Sequence, residues 1–153
     1  MRNLVLLAAL ALMLGIVSCK SDKPGTNKAT DDELKQIIQC TVYGHFSKQA
    51  VLKGKDLEEA LKVLRHCLSI QGRKSIEDLL GEGDKHAPEY MFYFEVTDSR
   101  EPRSPLYGIN WYQNLRILDI VPGSAFMPDK ATQDMVENLI EKCERNADKD
   151  IEP

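Results

Sequence analysis

Residues 90–97 read YMFYFEVT, residues 106–112 LYGINWY and residues 115–121 LRILDIV. Aromatic and β-branched side chains suit a pleated, half-buried surface, so each run is read as a strand. Between the first two lies DSREPRSP (98–105), a turn-rich loop with two prolines. Gln113-Asn114 forms a tight turn before the third run, and Pro122-Gly123 stops it. Three strands in sequence predict an antiparallel meander.

Helical signals flank this block. Thr30 and Glu33 match a capping box. Leu34, Ile37, Ile38 and Val42 follow at spacings of three and four, predicting a first helix that continues towards Leu52 through Phe46, Ala50 and Val51. After the break Lys53-Gly54-Lys55, Asp56 is placed to cap a second helix, with Glu58 and Glu59 where the helix dipole favours acids. Leu57, Ala60, Leu61, Leu64 and Leu68 form its stripe, and Gly72 ends it. Ser75 and Asp78 repeat the start signal for a short helix through Leu80. A last helix is predicted from Asp129 or Thr132 to Arg145, with Met135, Val136, Leu139, Ile140 and Cys143 on one face. The expected fold class is α+β: N-terminal helices and a C-terminal helix packed on a small antiparallel three-stranded sheet. The domain spans 31–147, and 148–153 is a frayed tail.

The first residues carry a different message. Arg2 gives a positive start, residues 4–14 are apolar and uncharged, and Ile16-Val17-Ser18-Cys19 follows. The apolar run has the length of an export signal and is too short to span a bilayer. An aliphatic residue, a permissive one, a small one and a Cys, in that order, resemble the lipobox of bacterial lipoproteins. The resemblance covers only this leader. It implies a signal peptide at 1–18 and Cys19 as the lipidated first residue of the mature chain. Several acyl chains there hold a protein to a membrane durably. It also implies a cell-envelope address, and Lys20 after the Cys favours the outer membrane facing the periplasm. The alternatives are ordinary secretion with a cut after Ser21, or a membrane-spanning anchor. Residues 19–30, with the polar KSDKPGTNKAT, form a flexible tether.

Composition narrows the function. Removing residues 1–18 from the 153 leaves 135, enough for one domain; losing Arg2 leaves 19 of 20 basic residues against 24 acidic ones, a charge of −5. Nucleic-acid binding rests on a basic face, so no nucleic-acid partner is expected. If Cys19 carries lipid, Cys40, Cys67 and Cys143 remain in an oxidising compartment, where one disulfide and one free thiol are expected. All three pairings are open; Cys40–Cys143 is favoured because it would tie the first helix to the last.

No catalytic spacing stands out. His45, His66 and His86 lack the spacing of a metal site, and no cofactor loop is present, so no metal and no cofactor are expected. Cys67 and Cys143 lie on apolar helix flanks, poor places for a nucleophile. Seven of the ten aromatic residues fall within 90–112. They are either core or an exposed platform led by Tyr93, Tyr107, Trp111 and Tyr112. Tyr, Trp and Arg anchor interfaces most often, so Arg100, Arg103, Trp111, Tyr107 and Tyr112 are the partner-binding candidates. The expected function is non-catalytic protein binding in the envelope, as an immunity or inhibitor protein or as an accessory subunit, and not an enzyme. The alternative is a small-ligand or glycan-binding domain using an aromatic sheet face.

Overall fold

A computed structural model of the chain describes residues 31–46, 49–81, 86–96 and 106–149. The leader, Cys19 and the tether lie outside the described residues, as do Arg100 and Arg103. Four helices, α1 (Asp31–Lys35), α2 (Gly54–Ser69), α3 (Ile76–Leu80) and α4 (Lys130–Lys149), accompany six strands: β1 (Gln39–Tyr43), β2 (Ala50–Leu52), β3 (Tyr90–Glu95), β4 (Tyr107–Tyr112), β5 (Ile117–Val121) and β6 (Ser124–Phe126). The strands form one antiparallel sheet in the order β2-β1-β3-β4-β5-β6. The fold is α+β with an antiparallel sheet, as expected, but the sheet has six strands rather than three.

The first correction lies at residues 31–52. The expected helix stops at Lys35, and Gln39–Tyr43 instead fills the space beside β3. The spacing of Leu34, Ile37, Ile38 and Val42 fits a helix, but QCTVY also alternates and is β-branched and aromatic. Its alternation matches β3: Cys40 and Val42 face the core beside Phe94 and Phe92, while Thr41 pairs with Tyr93 on the other face. Pairing with a strand already rich in aromatics outweighs local helical preference. Ile38, assigned to a helical stripe, is left 45% exposed. Gly44 follows β1 because nothing larger fits: a Cβ there would lie 2.4 Å from the Tyr90 ring.

One face of the sheet is a continuous apolar layer. Phe92, Phe94, Ile109, Trp111, Leu118 and Ile120 are buried beneath α2 and α4. Those helices present Leu57, Ala60, Leu61, Leu64 and Cys67, and Val136, Leu139, Ile140 and Cys143; these follow the stripes expected from their periodicity, except that Leu68 and Met135 are only partly buried. α2 begins at Gly54, so Asp56 is not its cap; together with Glu59 it holds Lys142 of α4, at 2.6 and 2.7 Å. At the other end of the helix pair, Asp129 caps α4 by accepting from the Thr132 N–H and O–H, and the Thr132 oxygen then takes a hydrogen from His66 Nε2 of α2, 2.8 Å away.

Among the described residues, the second face is covered only in part. Lys74 exchanges two backbone hydrogen bonds with Ala125 of edge strand β6, at 2.8 and 2.7 Å, and this carries the chain around the sheet. α3 then packs Ile76, Leu79 and Leu80 on Tyr112, Ile117 and Ala125. Ser75 caps it, accepting from the Asp78 N–H, as its sequence implies. The helices therefore do not all cover one face, as expected; α3 lies on the opposite side.

Candidate functional site

The remainder of the second face, over β1, β3, β4 and part of β5, carries the residues most suited to recognition. Two rows run across it. One consists of Val51, Thr41, Tyr93, Gly108 and Val121; the other of Tyr43, Met91, Asn110 and Asp119. Gln39 and Glu95 pair beyond the first row. Tyr43, Val51 and Val121 are 37%, 46% and 38% exposed, an apolar share that strands leave open only where no element covers them.

These side chains hold one another in place. Tyr43 and Tyr93 pack with ring centroids 5.4 Å apart in a tilted arrangement, and the Tyr93 hydroxyl donates to Met91 Sδ at 3.4 Å. Gly108, opposite Tyr93, is buried: a Cβ there would meet the Tyr93 ring, Val121 Cβ and the Phe92 carbonyl at 3.5 Å. Glu95 Oε2 accepts from Gln39 Nε2 at 2.7 Å and from Thr41 Oγ1 at 2.9 Å. Asp119 accepts from Asn110 Nδ2 at 3.1 Å. Burial raises the Asp119 carboxyl above the usual carboxylate range, Asn110 partly offsets this, and Glu77 adds to it.

Three of the expected contact residues are placed elsewhere. Trp111 and Tyr107 point into the helix-covered core, on the same side as Tyr90, Phe92 and Phe94. Tyr107 donates its hydroxyl to Glu33 at 3.3 Å, and Trp111 Nε1 is buried with no hydrogen-bond partner. Tyr112 has the outward parity, but α3 lies over it. Alternation shows which residues share a face; it does not show which face will be covered, and that is where the expected platform fails. Of its four leading members only Tyr93 stays on the open surface, joined there by Tyr43. The sequence reading passed over Gln39, Thr41, Tyr43, Glu95, Asn110 and Asp119. A signal for the last existed: Asp119 is a lone acid inside the apolar run LRILDIV.

Cys40, Cys67 and Cys143 are buried free thiols on β1, α2 and α4; the disulfide expected among them is not formed here. Burial pushes the Cys67 thiol up to about 12 and the Cys143 thiol up to about 11, and raises that of Cys40 further. Such thiols stay protonated at neutral pH and are weak nucleophiles. Among the described residues no group of three His, Cys, Asp or Glu side chains is placed to hold a metal ion. Also among the described residues, no helix is long and apolar enough to cross a membrane. Compared with known proteins, the chain matches no family model, no curated protein and no solved structure.

Proposed function

We propose that this is a lipid-anchored protein of the cell envelope that acts by non-catalytic binding of another protein through the open face of its sheet. The observation that carries the reading is the surface that no described element covers around Tyr43, Val51, Met91, Tyr93 and Val121, apolar and aromatic in the middle with polar groups at its margin. Interfaces have this anatomy, with aromatic anchors at the centre and a polar rim. The protonated thiols support a binding role over a nucleophilic one. The lipid on Cys19 and the outer-membrane address rest on the leader alone, and Arg100 and Arg103 are kept as proposed partner contacts on the sequence alone.

A photo-crosslinking residue at Tyr43 or Val51 tests this in native envelopes. The expected result is one discrete protein adduct from either position and none from Lys62 or Arg65, exposed on α2. Adducts from the α2 positions alone would move the interface to the helical side. Mass spectrometry of the native N-terminus tests the anchor: a diacylglyceryl Cys19 is expected, and an unmodified start at Asp22 would remove it.

A further inference from the structure

The three cysteines among the described residues share one core, yet only two of them are placed to meet. Cys40, Cys67 and Cys143 are fully buried in the same apolar cluster and are free thiols in this structure. The neighbours of Cys143 on α4 fix where it sits. On one side Lys142 is held by Asp56 and Glu59, near the start of α2, at 2.6 and 2.7 Å. On the other, Glu144 accepts from the Tyr90 hydroxyl of β3 at 3.4 Å. α2 follows directly from β2, and β1 lies between β2 and β3. Cys143, buried between two gripped neighbours, therefore lies over β1. The inward side chains of that strand are Cys40 and Val42. Cys40 is the one opposite Leu52, at the end of β2 from which α2 and Asp56 depart.

The same geometry excludes Cys67. It stands eleven residues beyond Asp56 on α2, roughly 16 Å further along at the helix rise. That end of α2 meets the start of α4 instead, where His66 Nε2 is 2.8 Å from the Thr132 hydroxyl. A disulfide needs Cα atoms within about 7 Å of each other. The electrostatics agree. Burial raises the Cys40 thiol and Cys143 adds to it, whereas burial raises the Cys67 thiol and Arg73 partly offsets this.

We infer that Cys40 and Cys143 are the pair that oxidation joins, in a disulfide clamping the C-terminal half of α4 to β1, while Cys67 stays a thiol. β1 carries Thr41 and Tyr43 on its outward side, so the clamp holds a strand of the open face from behind. Formation in the cell rests on the proposed envelope address, because such compartments are oxidising; the choice of partners does not. The oxidant is the disulfide of a thiol oxidoreductase or oxidised glutathione. One cysteine, as thiolate, attacks that disulfide and releases the first donor sulfur. The second cysteine attacks the mixed disulfide and releases the other. Two protein thiols are oxidised, and the donor is reduced to two thiols that take up the two protons. Thiols this deeply buried do not ionise at neutral pH, so the bond forms before the core closes over them.

The test starts from the full-length protein, reduced and denatured, then refolded in neutral detergent with reduced and oxidised glutathione. The product is blocked with N-ethylmaleimide in denaturant and digested without reductant. Mass spectrometry should find Cys40 linked to Cys143 and maleimide on Cys67. A bridge that includes Cys67, or maleimide on all three, would overturn the inference. Reduction should lower the melting temperature of the refolded parent and of Cys67→Ala by about 5 °C or more, because the bond closes a long loop. Cys143→Ala should show no such shift; an equal shift in all three proteins would also overturn the pairing. Blocking the protein directly in native envelopes separates the two claims. Free Cys40 and Cys143 there, alongside their link after refolding, would keep the pairing and remove the oxidising address from the proposed function.

Discussion

The same strands build two unlike surfaces. Phe92, Phe94, Ile109 and Leu118 sit under two amphipathic helices, whereas their immediate neighbours Tyr93, Asn110 and Asp119 face outward beside Glu95. The first surface is apolar without a break; the second mixes tyrosines, methionine, valines, amides and carboxylates. A sheet needs only one covered face to be stable. What stands on the other face is free to serve recognition, and here, among the described residues, α3 covers Tyr112, Ile117 and Ala125 at its β4–β6 end.

The sharpest test of that contrast is to truncate one residue on each side. Trp111→Ala, on the covered face, should cost about 3–5 kcal/mol in thermal or denaturant unfolding. Trp111→Phe should cost far less, because it also removes a buried N–H that has no partner, a liability of about 1–3 kcal/mol. Val51→Ser on the open face should change stability by no more than about 0.5 kcal/mol. If Val51→Ser instead costs as much as a core truncation, the second face is packed and the comparison fails.

The join between the two covering helices comes next in size. Thr132→Val removes the hydroxyl that links His66 to Asp129 and leaves both polar groups without it, an expected loss of about 1–3 kcal/mol. Thr132→Ser should restore most of it; if Val is tolerated as well as Ser, the three-residue link does not hold α2 to α4.

Asp119 gives the smallest effect and the one with a pH signature. Its folded carboxyl binds a proton more tightly than the unfolded chain does. Its contribution to stability is therefore present below the ordinary Asp range and lost as pH rises through the folded value. Asp119→Asn should raise the melting temperature slightly near neutral pH, and the difference should vanish in acid. A lowered melting temperature at neutral pH would indicate that the ionised carboxylate is matched after all.

Much of the covered side was legible in the sequence. The stripes of α2 and α4, the Ser75 cap and the three aromatic or β-branched strands follow from periodicity alone. β1 was not, because four apolar residues at helical spacing overlap a five-residue alternation, and only the presence of β3 decides between them. β2 and β6 have three residues each, too short to show a period. The open face was the least legible. Its members come from separate strands, and Glu95 meets Thr41 across 54 positions of chain. Which tyrosines stay outside depends on where α3 lands, which no local pattern records.

Hydroxyl-radical footprinting, comparing the purified protein with the protein in its native envelope, tests the central claim most directly. Tyr43, Met91 and Tyr93 should be oxidised in the purified protein and protected in the envelope, while Met127, 68% exposed beyond β6, should react equally in both. Equal oxidation of Tyr43, Met91 and Tyr93 in the two preparations would contradict the account, because the open face would then have no occupant where the protein works.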